Sequence, residues 1–93
     1  MTCYEFKDYN LVGFEKGKGY KKYNAILQNK KSKGYARVPF GDTRYEHYKD
    51  SALGLYIHLD HLDKVRRVNY QKRHKGDRLN CFSPGYFSWY YLW

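Results

Sequence analysis

No stretch of this 93-residue sequence is long and apolar enough to cross a bilayer. The longest apolar run, Tyr86 to Trp93, is broken by Ser88 and falls well short of the ~20 residues a spanning helix needs. Cysteine occurs only at positions 3 and 81, with no CxxC or CxxxH spacing, so neither a disulfide framework nor a cysteine zinc site is expected. One bridge between the two stays open on sequence grounds. The opening residues, Met-Thr-Cys-Tyr-Glu-Phe-Lys-Asp, bring acids early and no apolar segment of the kind a signal peptide carries. A chain of the host cytoplasm or of a virion, not a secreted one, is expected. Repeats and Pro-, Ser- or Gly-rich linkers are missing too, and the length leaves room for one domain, 1–93. Acids are absent altogether between residues 16 and 37.

What is abundant is aromatic and basic. A domain this short buries only about 60–65% of its unfolded surface, so its core must be dense in large side chains. Twelve Tyr, five Phe and two Trp meet that need. Tyrosine also suits interfaces and base-stacking platforms, because its hydroxyl tolerates water. Most of these rings are needed for the core. The formal net charge is +9, from 18 basic and 9 acidic residues, and it is segregated. Lys16, Lys18, Lys21, Lys22, Lys30, Lys31, Lys33 and Arg37 form one block; Lys64, Arg66, Arg67, Lys72, Arg73, Lys75 and Arg78 form a second, against only Asp63 and Asp77. Two separated basic blocks point to a polyanionic partner, although lysine-rich turns also occur as plain solvated surface.

The local patterns predict an α+β fold. Leu11-Val12-Gly13-Phe14 reads as a strand, and residues 23–28 and 35–40 as a hairpin around 29–34. Alternation puts Tyr23, Ala25 and Leu27 on one face, with Ala36, Val38 and Phe40 across from them. Thr43 to Tyr48 is expected to make a helical turn, and 49–59 an irregular packed loop. Asp60 is placed as the N-cap of a helix over 61–74, with Asp63 in the capping-box position. Leu62, Val65, Val68 and Asn69 then share a stripe that would face the sheet, with Lys64, Arg67 and Gln71 opposite. Bases late in this helix also complement its dipole, a structural reason for part of their number. Ser83-Pro84 starts a second helix, short and apolar all round, which must be buried or docked on a partner.

Three constellations bear on chemistry. His58, His61, Asp63 and His74 are the weak candidates for a metal centre, and Asp60-His61 with Asn69 and His74 would be the parts of an HNH-like nuclease. An HNH site needs a ββα unit with longer gaps, whereas these residues crowd onto one helix. No nucleophile, base and orienter can all be named, so no catalytic residue and no cofactor are assigned. Gly17-Lys18-Gly19 lacks the phosphate-loop form, though Lys18 can meet a phosphate as any loop lysine can. Backbone recognition is the remaining reading. Lys30, Lys31, Lys33 and Arg37 on the hairpin, with Lys64, Arg66, Arg67, Lys72 and Arg73 on the helix, would contact phosphates. Tyr20, Tyr23, Tyr35 and Tyr70 would stack bases where exposed. Without an RNP, helix-turn-helix or finger motif, sequence specificity should be weak.

From Lys21 onward the chain resembles a family of small proteins of tailed marine phages and large algal DNA viruses. The matching pieces are Lys21-Lys22-Tyr23, Phe40-Gly41-Asp42, Tyr48-Lys49-Asp50, Asp60-His61 with Asp63, Arg66-Arg67, Asn69-Tyr70, Arg73-His74 and the ending Ser83 to Trp93. The Arg-His pair followed by the terminal Ser-x-x-x-Leu-Trp is the most specific of them. The resemblance implies a viral origin and transfers no activity. It also suggests that Asp63, Arg66, Arg73 and His74 build an ion-pair network tying the helix to the aromatic tail.

Taken together, these readings lead to an antiparallel sheet from the first half, packed against a basic helix and a short aromatic C-terminal helix. The partner expected is nucleic acid, DNA ahead of RNA, or other virion proteins, and not a membrane. Trp89, Tyr90, Leu92 and Trp93 are the residues expected to dock a protein partner.

Overall fold

The computed structural model describes residues 3–76 and 81–93. The elements run β1 (Tyr4–Glu5), β2 (Tyr9–Lys16), β3 (Lys21–Asn29), β4 (Tyr35–Asp42), α1 (Lys64–His74), β5 (Cys81–Phe82) and α2 (Pro84–Tyr91), with one 3-10 turn at Ile57–Leu59. Strands β2, β3 and β4 form an antiparallel meander with β3 in the middle. Strands β1 and β5 pair antiparallel in a separate ribbon.

The hairpin lies where turn chemistry and alternation predict it. Asn29 Oδ1 accepts the Lys31 and Ser32 N–H groups and folds the tip. Tyr23 pairs with Phe40, Ala25 with Val38 and Leu27 with Ala36, and all but Ala36 are buried. The β2–β3 turn depends on Gly17, where a Cβ would sit 2.5 Å from the Lys21 carbonyl oxygen. In β2 a bulge between Leu11 and Gly13 turns Val12 outward.

The C-terminal segment closes the core. Ser83 Oγ accepts the Tyr86 N–H at 3.1 Å, and Pro84 occupies the first turn, as the Ser-Pro signal predicts. Phe87 and Leu92 are buried against Tyr23, Phe40 and their neighbours, so α2 and the residue beyond it lie on the sheet. Phe14 joins from β2, edge-on to Phe40, Phe87 and Tyr91. Loop 48–51 holds the end of this segment. Tyr48 and Lys49 N–H donate to the Leu92 carbonyl, and Ser51 N–H to that of Tyr91.

Helix α1 departs from its sequence pattern in two ways. Its N-cap is Asp63, whose carboxylate accepts from the Val65 and Arg66 N–H groups, and the helix starts at Lys64 rather than 61. Asp60 is drawn away by His47. The helix is also turned round. Leu62, Val65, Val68 and Asn69 are exposed, whereas Tyr70, Gln71 and His74 are half-buried. Tyr70 stacks on Trp93 with centroids 4.3 Å apart and planes 4° from parallel, and on His74 at 4.4 Å. A stack of large rings covers more area than two valines can, so it decides which side faces the protein. Residues 43–48 form a turn and bends rather than a helical turn.

Cys3 and Cys81 are joined by a disulfide, with Cα atoms 5.7 Å apart at the end of the β1–β5 ribbon. Its ribbon strands are two residues each, too short to have been legible as strands.

Candidate nucleic-acid interface

Two polar clusters grow from β3, one buried and one open. In the buried cluster Lys22 is 2% exposed and His47 is fully covered. Lys22 Nζ donates to the Tyr45 carbonyl at 2.9 Å and to His47 Nδ1 at 2.8 Å. An accepting Nδ1 leaves the proton on Nε2, which donates to Asp60 Oδ1. The same oxygen accepts the Asp50 N–H at 2.9 Å. Beside it the Tyr23 hydroxyl donates to Asp50 Oδ2 at 2.6 Å and accepts the Leu55 N–H. Asp50 also accepts from the Ala52 and Tyr56 N–H groups.

Burial and the neighbouring Lys22 charge lower the His47 pKa and keep the ring neutral. Burial likewise lowers that of Lys22, against the opposing pull of Asp42, Asp50 and Asp60. For Asp50, burial pushes upward, but the Tyr23 hydroxyl and the backbone donors outweigh it and hold the carboxyl below its ordinary value. Tyr23 is raised by burial and by the Asp50 carboxylate. A Lys-His-Asp line resembles acid–base machinery, yet no atom of His47 reaches the surface where a substrate could meet it. Its work is to fasten loop 43–62 to the sheet. The backbone agrees: His47 N–H donates to the Leu59 carbonyl, and His61 N–H to that of His47.

The histidines singled out from the sequence do not converge. His58 is exposed beside Tyr56, and His74 stacks on Tyr70. His61 Nδ1 accepts the Asp63 N–H, and its ring lies between Tyr48 and Trp93. Among the described residues no group of three or more His, Cys, Asp or Glu is placed to hold a metal ion. Asp60, which an HNH-like reading pairs with His61, serves His47 instead.

The open cluster lies on the sheet face away from α2. Glu15, Lys18, Lys21, Asn24, Arg37 and Pro39 line a groove of about 560 Å³. Glu15 Oε2 accepts from Asn24 Nδ2 at 2.9 Å and from Arg37 Nε at 2.8 Å. The Asn24 hydrogen bond is the main cause that lowers the Glu15 pKa; burial opposes it, and Arg37 adds to the lowering. Asn24 is only 9% exposed and forms the floor; Lys18 and Lys21 stand exposed at the rim.

Of the nine bases assigned to phosphate contact, all are exposed, but several are already engaged. Arg66 pairs with Glu46 at 3.0 Å. Arg67 donates to the Trp93 carbonyl at 2.8 Å and lies over the Tyr48 ring. Lys30 Nζ reaches the Phe6 carbonyl from the hairpin tip. Lys31 and Lys33 stay at that tip, Arg37 lies in the groove, and Lys64, Lys72 and Arg73 project from α1. Of the four stacking tyrosines, Tyr20 and Tyr35 are exposed, Tyr23 is core, and Tyr70 is half-buried under Trp93. Arg44 lies over Tyr20, 4.4 Å from its centroid. In the tail, Leu92 is consumed by the core, Trp93 covers Tyr70, Trp89 is half-buried, and Tyr90 is exposed. Arg78 and Asp77 lie outside the described residues.

Sequence reasoning missed His47, which sits in a segment without periodicity, and the groove. Strand alternation alone puts Glu15, Asn24 and Arg37 on outward positions of adjacent strands, so the groove had a signal. No protein-family model, no curated protein and no solved structure matches the chain.

Proposed function

We propose that this is a small, non-enzymatic viral accessory protein that associates with nucleic acid chiefly through phosphate contacts. The observation that carries the reading is how charge is partitioned between interior and surface. Every described lysine and arginine except Lys22 is exposed. Most acids are committed within the chain: Asp50 and Asp60 to the buried cluster, Asp63 to the α1 cap, Glu15 to Asn24 and Arg37, Asp42 to Arg44, and Glu46 to Arg66. Paired acids and bases cancel, and the bases left over carry the net of +9 on the surface, which favours a polyanion. The viral assignment rests on the resemblance described above. Of the two expected locations, the Cys3–Cys81 bridge favours the virion, since disulfides persist at virion surfaces and are rare in a reducing cytosol.

The test is a titration of labelled duplex and single-stranded DNA and RNA across a range of salt, with and without Mg²⁺ and Mn²⁺. Affinity that falls steeply with salt, with strands left intact, is the expected result. Absence of binding at low salt would sink the proposal, and cleavage would overturn its non-enzymatic part. A second reading, an adaptor between virion proteins, is favoured by the outward stripe Leu62, Val65 and Val68 rather than by the tail. It expects a defined complex that persists at high salt.

A further inference from the structure

We infer that the open face of the β2-β3-β4 sheet is a binding track for single-stranded nucleic acid, with the groove over Asn24 seating one nucleotide. This rests on the nucleic-acid reading above and adds to it a site and a strandedness.

Helix α2 covers one face of the sheet, and on the other Ile26 is half-buried while Tyr35, Arg37 and Pro39 are exposed. Tyr35 keeps 64% of its surface in water, so its ring is open to a ligand. It pairs with Gln28, and Arg37 with Ile26, so ring and guanidinium follow each other along one outward row. An exposed ring next to a cation suits an unpaired base, and bases in a duplex are already stacked on one another.

The groove carries two kinds of chemistry. At its rim Lys18 and Lys21 offer ammonium groups, which suit phosphate oxygens. Its floor offers the fixed amide of Asn24 and the carboxylate of Glu15, held by Asn24 and Arg37. A carboxylate in this position accepts from the exocyclic amine of a base. The ligand that satisfies both floor and rim is a nucleotide. A volume of about 560 Å³ is of the right order for one.

Length supports a track rather than an isolated pocket. Strand β3 runs nine residues from Lys21 to Asn29, roughly 26 Å at about 3.3 Å per residue. Lys18 and Lys21 stand at one end, Lys31 and Lys33 at the other, with Arg37 between them. A strand lying along this row meets cations at both ends and in the middle.

Fluorescence anisotropy with labelled oligonucleotides of one sequence, as single-stranded DNA, single-stranded RNA and duplex DNA, tests this on the full chain. Three variants are compared: Tyr35→Ala, Lys18→Glu with Lys21→Glu, and Lys72→Glu with Arg73→Glu on α1. All substituted residues are exposed, and a thermal melt of each confirms that it is folded. The wild type should bind a single strand more tightly than duplex, and the DNA and RNA arms show which strand is preferred. Tyr35→Ala should weaken the single strand about fivefold or more with its salt slope nearly unchanged. Reversing Lys18 and Lys21 should weaken it further and flatten the slope by about 1.4, roughly 0.7 per lost phosphate contact. The α1 variant should stay within about twofold of wild type if its charges act only at long range. Binding to duplex as tight as to single strands, or unaltered binding by the first two variants, overturns the track and leaves the broader reading standing. If the wild type binds no nucleic acid at all, both fall.

Discussion

The two polar clusters that share β3 are built from the same kinds of parts and meet opposite fates. Lys22 and Tyr23 enter one, Asn24 the other, and each cluster centres on a carboxylate held by several donors. Around Asp60 and Asp50 water is excluded, so each donor and acceptor must be matched inside the chain. Around Glu15 water stands by as a substitute partner. The first cluster therefore specifies where a loop goes, and the second is free to exchange partners with a ligand. Burial, rather than residue type, separates the two roles.

The largest expected effect comes from breaking the buried cluster. Asp60→Ala leaves the His47 and Asp50 N–H groups without their acceptor and should cost about 3–5 kcal/mol, read as a shift in the urea midpoint. Acid should do part of the same work. An imidazole held below its unfolded value of 6.5 takes up a proton more readily when unfolded, so stability is full above that pH and declines as pH falls. A second decline follows below pH 3.8, where the depressed Asp50 is present as carboxylate only in the folded state. Melting temperatures should follow this course, and His47→Gln should shrink the first decline to the share of His61, which burial also holds low, while keeping the second. In the open cluster Glu15→Gln should shift the urea midpoint far less, because water replaces the lost acceptor. Its sharper readout is weaker binding of a single strand, as the groove loses the carboxylate that accepts from a base amine. Smallest of all, Glu46→Gln should change stability by no more than about 0.5 kcal/mol, since its pairing with Arg66 is exposed on both sides.

Much of the fold was legible, because the rules that build it are local. Turn residues 29–34, alternation over 23–28 and 35–40, and the Ser-Pro start of the last helix each use neighbours in sequence, and each agrees with the structure. Where tertiary competition decides, local signals mislead. Asp60 has the character of a cap, but His47 claims it and Asp63 caps instead. The aliphatic stripe Leu62, Val65, Val68 marks an inward face by pattern, but stacking of Tyr70 on Trp93 turns it out. The candidate site was visible in charge and not in place. The basic blocks pointed to a polyanion, and Arg37 was named, but Glu15, Asn24 and Lys21 come together only once the register of three strands is known.

The bridge between Cys3 and Cys81 spans 78 positions of sequence and so encloses the sheet, the loop and α1 within one covalent ring. A force applied between residues 3 and 93 would pass through the bridge and by-pass everything inside it. Only the segment from Phe82 onward could then be drawn out, to a full contour of roughly 40 Å at about 3.4 Å per residue. Reduced, the same chain would yield across its whole length. The oxidised form is a link that stretches little before it holds.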